Sequence, residues 1–289
     1  MDTSNDWYNL PQNNSEPSIV NTIRERYNVQ AEAEWERMEK DWAHKVSFEM
    51  HRRFLLRYTP KGSRVLEVGA GPGRYTFTLA ENECRVVVTD LSPGQLAANK
   101  KRVSSSCASE NIESWEILDL TTPTRFADDE FDVVLLFGGP LSYAFEHDEE
   151  AVKEMLRITK PSGVVLGSVM SLLGSHRALI KDVVNELPRI GVDGNNEIFQ
   201  TGDMRDHGFT HECQLYTSET LSSLIKNAGG RVVSLCASNW ASANDEEVME
   251  TLVKDSYAWQ VFLDQEEQAC RCPGAVDGGS HLLFAVQKN

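Results

Sequence analysis

Between residues 64 and 170 short apolar runs alternate with longer amphipathic segments. The pattern predicts strands at 64–68, 85–89, 114–118, 131–137 and 163–170, and helices near 73–82, 93–105 and 148–159. Alternation of this kind builds a parallel sheet through strand–helix–strand crossovers. Val133-Val134-Leu135-Leu136-Phe137 is apolar throughout, as expected of a strand covered on both faces. Ahead of this region, residues 19–58 carry helical periodicity, with Trp35, Met38, Trp42, Val46, Met50, Phe54 and Leu55 on one face. Pro60-Lys61-Gly62 ends that helical layer, and Pro161-Ser162-Gly163 reads as a tight turn.

After residue 170 the regularity breaks. A helix is expected near 175–187, then a Gly/Asn-rich stretch from Gly191 to Gly208, then a helix near 217–228. Arg231-Val232-Val233-Ser234-Leu235 and Leu282-Leu283-Phe284-Ala285-Val286 read as the last two strands, separated by a helical insertion around 245–271. The expected organisation is a disordered arm at 1–18, a helical cap at 19–60 and a doubly wound α/β domain at 61–289. Lid insertions fall at about 171–216 and 240–272.

The chemistry is concentrated in Val65-Leu66-Glu67-Val68-Gly69-Ala70-Gly71-Pro72-Gly73-Arg74-Tyr75. An apolar strand runs into a glycine-rich turn, whose backbone can approach a ligand closely, and a helix follows with its free N–H groups aimed over the turn. Asp90 stands at the end of the second strand, where a carboxylate accepts the two hydroxyls of a ribose. The spacing therefore points to an adenosine-type nucleoside. A dinucleotide fingerprint needs G-x-G-x-x-G; here Arg74 takes the position of the third glycine and the spacing is G-x-G-x-G.

With Glu67 inside the strand, E-V-G-A-G-P-G resembles motif I of the class I S-adenosylmethionine-dependent methyltransferases. The resemblance spans roughly 62–235 plus the last strand, and Glu154 to Gly163 resembles the family's segment before the fifth strand. It implies a Rossmann-like, mostly parallel seven-stranded sheet with a last antiparallel strand, and S-adenosylmethionine as methyl donor. It further implies that Glu67 binds the cofactor as the acidic residue of motif I, and that Gly69, Ala70, Gly71 and Gly73 form the turn under its amino-acid part. Asp90 would hold the ribose, with Leu91 beside the adenine and Gln95 in the next helix. Asp119, followed by Leu120, would meet the adenine amino group, and Phe137 and Gly138 would close the cofactor's edge. A nucleotide-dependent oxidoreductase fits the turn and Asp90 but leaves Glu67 unexplained. A non-catalytic sensor or scaffold that binds the cofactor also fits.

Charge narrows the acceptor. The net charge of −16 opposes binding to a phosphate backbone, and Asn99-Lys100-Lys101-Arg102 reads as the solvated end of a helix. Gly-Pro-Leu-Ser-Tyr at 139–143 lacks the Asn/Asp-Pro-Pro-Tyr/Phe motif that nucleobase-modifying members of the family often carry. A small-molecule oxygen or nitrogen acceptor is expected, with no nucleic acid or membrane partner, in a monomer or homodimer. No apolar run approaches a membrane span and the first residues lack an apolar leader. With six scattered cysteines read as free thiols, a cytoplasmic setting is expected. Methyl transfer from a sulfonium needs a base only where the acceptor must lose a proton. His147, His207 and His211 are the candidates, His211 and His207 foremost, with Tyr143 as orienting group. Asp203, His207, His211 and Cys213 have a spacing that permits a metal without compelling one, and none is expected. Tyr27, Trp35 and Trp42 would fold over the ligands, and Trp240 would line the pocket.

Overall fold

A computed structural model describes residues 19–209, 211–242 and 246–289. The arm expected at 1–18 lies outside these residues. Helical periodicity over 19–58 resolves into three helices, α1 (Ile19–Asn28), α2 (Ala31–Arg37) and α3 (Trp42–Tyr58). The expected single face is therefore interrupted. Before α3 the Asp41 carboxylate accepts from the backbone N–H of His44 at 2.8 Å, a cap that starts a new helix. Val46, Met50, Phe54 and Leu55 of α3 are buried, whereas α1 and α2 bury no residue.

The remaining elements follow the alternation. They are β1 (Arg64–Val68), α4 (Arg74–Glu81), β2 (Arg85–Asp90), α5 (Pro93–Ser104), β3 (Ile112–Ile117), β4 (Phe131–Leu136), α6 (Asp148–Ile158) and β5 (Thr159–Met170). Then come α7 (Leu172–Ala178), α8 (Ile180–Thr201), α9 (Ser218–Asn227), β6 (Gly230–Ala237), α10 (Glu246–Leu252), α11 (Ser256–Ala269) and β7 (His281–Lys288). The described strands form a seven-stranded sheet of order β3-β2-β1-β4-β5-β7-β6. β7 is antiparallel to both its neighbours and the other pairings are parallel. This is the doubly wound arrangement with one reversed strand.

Alternate residues of the central strands feed two cores. Leu66, Val134 and Leu136 pack on one side with Met155 and Ile158 of α6. Val65, Val133 and Leu135 pack on the other with Phe54 and Leu55 of α3 and Leu79 of α4. Each such side chain taken fully from water contributes about 1.5–3 kcal/mol. Two sequence expectations are corrected here. Pro161-Ser162-Gly163 is a bulge inside β5, since Phe131 pairs with Thr159 and Val133 already pairs with Val164. The stretch from Gly191 is helical as far as Thr201, because α8 absorbs Gly191 in a kink at φ 74° and ψ 167° and then resumes. No helix among the described residues is long and apolar enough to cross a membrane.

Candidate active site

The carboxyl edge of the parallel strands carries the glycine turn. Gly69 has φ +67°, and a Cβ there would stand 2.5 Å from Pro140, so both conformation and space demand glycine. Asp90 is pinned across this turn. Its Oδ2 accepts from the Gly71 N–H and its Oδ1 from the Ser92 N–H, each at 2.8 Å, which leaves further lone pairs on each oxygen. Burial pushes its carboxyl up to about 6.

Glu67 lies beneath the turn in a directional chain. The Trp115 indole N–H donates to Asn99 Oδ1 at 3.1 Å, and Asn99 Nδ2 donates to Thr76 Oγ1 at 2.9 Å. The Thr76 hydroxyl in turn donates to Glu67 Oε2 at 2.7 Å. Oε1 has no partner, and burial pushes the Glu67 carboxyl up to about 8. At neutral pH this carboxyl is protonated.

Above the turn is a cavity of about 410 Å³. Gly69, Ala70, Gly71, Asp90, Leu91, Gln95, Asp119, Leu120, Phe137 and Gly138 all line it, as do Tyr143 and His211. Glu67 and Gly73 do not line it; they support the turn from behind. Asp119 Oδ1 accepts from the Thr121 N–H at 2.9 Å and from its hydroxyl at 2.6 Å. Gln95 Nε2 donates to the Tyr27 carbonyl at 2.8 Å while its Oε1 is buried without a partner. An orphaned acceptor, a glycine cradle and a strand-end carboxylate suit a nucleoside with hydroxyl and amino donors.

Helices α1 and α2 form the roof. Asn28 Oδ1 accepts from the Gly94 N–H at 2.6 Å, and Arg102 pairs with Glu32 at 2.5 Å. Arg74 donates to the Trp35 carbonyl at 2.5 Å and to Glu39 at 2.8 Å, its guanidinium 4.0 Å from the centre of the Trp35 ring.

The roof also completes a relay. The Tyr27 and Tyr143 hydroxyls are 2.6 Å apart, and the Tyr143 hydroxyl is 2.9 Å from His211 Nε2. Tyr143 closes a 3-10 turn after Gly139. The loop bearing His211 is stitched to that turn, with the Gln214 N–H donating to the Ser142 carbonyl at 2.7 Å. Burial holds His211 below its ordinary value and raises both phenols. The phenols are therefore protonated and the imidazole neutral at pH 7. In the tautomer that leaves Nε2 unprotonated, the Tyr143 hydroxyl can donate to His211 and accept from Tyr27.

The structure brings Tyr143 and His211 together and leaves His207 elsewhere. His207 packs against α8 at Gly194, 3.9 Å from Glu197, and is not part of the cavity wall. His147 precedes α6 as its cap residue. Trp240 packs over Gly278 and does not line the cavity. Asp203 binds Arg205 through both oxygens, and the described residues hold no cluster of three metal-ligating side chains.

Sequence reasoning missed His281, Met170, Arg24, Glu34 and Arg37, all of which line the cavity. His281 begins β7 opposite Met170, the last residue of β5. Because β7 runs antiparallel, its first residue stands at the carboxyl edge of the parallel strands, and that direction was the available signal. Its ring lies 5.9 Å from that of His51, and burial keeps His281 well below its ordinary value and His51 at about 4. Both are neutral at pH 7.

A family model described as a methyltransferase domain matches residues 65–163, the segment from β1 into β5. An uncharacterized protein of Mycobacterium tuberculosis (strain ATCC 25618 / H37Rv) is 32% identical over 191 residues, covering 61% of this chain and 67% of that protein. A demethylmenaquinone methyltransferase of Corynebacterium glutamicum (strain R) is 35% identical over 103 residues, covering 35% of this chain and 39% of that enzyme. Among solved structures, an S-adenosylmethionine-dependent methyltransferase from Mesorhizobium loti superposes with a TM-score of 0.54 at 17% identity, covering 82% of this chain and 96% of that one. That likeness establishes the fold.

Proposed function

The chain belongs to the class I S-adenosylmethionine-dependent methyltransferases, and on that premise we propose that it methylates an oxygen or nitrogen of a small molecule. The observation that carries this reading is the Tyr27–Tyr143–His211 relay in the wall of the same cavity that the glycine turn and Asp90 line. A volume of about 410 Å³ falls in the range of small-molecule pockets, roughly 300–1,000 Å³. The relative named for demethylmenaquinone supports the small-molecule class, and a net charge of −16 works against a nucleic-acid acceptor.

Asp90 would accept the ribose hydroxyls through its free lone pairs, Gln95 Oε1 and Asp119 would take donors of the nucleoside, and Leu91 and Leu120 would flank the base. When bound, S-adenosylmethionine supplies an electrophilic methyl carbon on a sulfonium. The roof excludes water from the reacting centre, and the walls fix the acceptor against it. Tyr143 takes the acceptor's proton as its own moves to His211 Nε2. The imidazole ends as imidazolium, and proton release to solvent resets it.

The test is methyl transfer from labelled S-adenosylmethionine to a small-molecule panel, with Tyr143→Phe beside the wild type. The variant is expected to lose about 10²- to 10⁴-fold in kcat, the usual worth of general base catalysis, with affinity for S-adenosylhomocysteine kept within about twofold, as expected of a group that acts only on the acceptor's proton. Full activity in the variant would sink the relay. Labelling of protein or nucleic acid with no small acceptor labelled would sink the substrate class.

A further inference from the structure

Val20, Ile23, Arg24 and Tyr27 line the cavity from α1, at the i, i+3, i+4, i+7 spacing of one helical face. Arg24 is the odd member of that face. Arg24 is half-buried, and a guanidinium stays charged at any physiological pH. Among the described residues its hydrogen bond goes to Asn21 Oδ1, at 2.9 Å, and no carboxylate lies within ion-pair distance. The other arginines of the cavity wall differ: Arg37 pairs with Glu34 at 2.9 Å and Arg74 with Glu39 at 2.8 Å.

The carboxylates of the wall are likewise committed. Glu34 is taken by Arg37, Asp90 by the backbone N–H groups of Gly71 and Ser92, and Asp119 by Thr121. Arg24 is thus a cation on the cavity wall with no carboxylate within ion-pair distance among the described residues, in a chain whose net charge is −16. Its planar fork matches a carboxylate in bidentate geometry. Tyr27, which joins the proton relay, follows three residues later on the same face, about 4.5 Å along the helix axis. Ile23, Phe137 and Met170 supply apolar wall in the same cavity.

We infer that the acceptor is a phenolic acid, its carboxylate held by Arg24 and its hydroxyl presented to Tyr143. This rests on the methyl-transfer reading above and names the acceptor for it. The phenolic oxygen forms the bond to the methyl carbon as the carbon–sulfur bond breaks, its electron pair staying on sulfur. The phenolic proton passes to Tyr143, and the proton of Tyr143 to His211. The ring of such an acid would lie against the apolar wall that Ile23, Phe137 and Met170 supply.

Binding and turnover separate the two layers of this inference. Calorimetry on the full chain saturated with S-adenosylhomocysteine would compare 3- and 4-hydroxybenzoate and 4-hydroxycinnamate with their methyl esters. The acids are expected to bind at least about 10-fold more tightly than the esters. Arg24→Gln should weaken the acids by about 10- to 100-fold, the worth of a charge-assisted bond, and abolish the discrimination. Arg24→Lys should restore part of it, and the affinity of both variants for S-adenosylhomocysteine should match the wild type. Esters binding as well as acids, no acid binding, or an Arg24→Gln variant with unchanged acid affinity would each overturn the inference. An equal loss of S-adenosylhomocysteine affinity would also overturn it, by placing the guanidinium on the cofactor. Tighter binding of phenyl phosphate than of any acid would overturn the carboxylate assignment. Acids bound through Arg24 but never methylated would uphold the anion site and remove the oxygen-transfer reading.

Discussion

Replacing Glu67 by glutamine is expected to flatten the dependence of stability on pH. Only 2% of Glu67 is exposed, one oxygen has no partner, and the other has only the Thr76 hydroxyl. The folded chain keeps this proton up to about 8, whereas the unfolded chain releases it near 4.5. Between those values the folded state binds more protons than the unfolded one, so stability falls as pH rises through the window. At about 1.4 kcal/mol per pH unit, the loss reaches about 3 kcal/mol by pH 7 and about 5 kcal/mol above pH 8. Glutamine keeps an acceptor for Thr76 and has no proton to lose. Urea unfolding followed by tryptophan fluorescence at pH 5, 6, 7 and 8 reads the effect. The difference between Glu67→Gln and wild type is the quantity to plot, because Asp90, His51 and His281 titrate in both proteins and cancel. It should shift in the variant's favour by about 2.5 kcal/mol between pH 5 and pH 7. A difference that stays constant across the four pH values would refute the argument.

Asp90→Asn should weaken S-adenosylhomocysteine binding by roughly 10- to 100-fold at pH 8, the range of a charge-assisted hydrogen bond. Wild-type affinity should fall as the pH drops below about 6, where this carboxyl takes up its proton, and the variant should show no such fall; calorimetry at pH 5.5 and 8 checks both. Glu266 is 2% exposed and accepts from the backbone N–H groups of Trp240, Ala241 and Ser242 and from the Ser242 hydroxyl. Glu266→Ala strands those donors and should cost about 3 kcal/mol or more. Thermal unfolding would show it as a drop in Tm of about 5 °C or more.

The central strands of the sheet, such as β4, were legible because burial on both faces makes their sequences nearly continuously apolar, and the cofactor edge was legible because glycine spacing and a strand-end carboxylate are local signals. The rest depended on contacts between distant segments. His281 reaches the cavity only through the direction and register of β7 against β5. Tyr27 reaches Tyr143 across 116 positions of chain, which no local spacing encodes. His207 and His211 stand four positions apart, yet one packs on α8 and the other on the relay. Composition misled at Gly191, where one glycine in an unusual conformation lets a helix bend and continue.

Arg74 shows most directly how an exclusion in sequence becomes a positive feature in structure. At the position where a dinucleotide fold needs a third glycine for close helix–strand packing, this chain starts α4 with a long cation directed at the roof. Its guanidinium binds the Trp35 carbonyl and Glu39 and lies over the Trp35 ring, which Arg102 also approaches, at 4.7 Å from its centre. Each such cation–ring contact contributes about 0.5–2 kcal/mol. Because α1 and α2 bury no residue, polar and ring contacts of this kind carry much of the attachment of the roof. A segment held by few buried apolar contacts opens at a lower free energy than the core beneath it. Lifting the roof would admit ligands to the cavity, and lowering it would exclude water. Holding it by exposed polar bonds over a rigid glycine turn meets both needs, which a buried apolar roof would not.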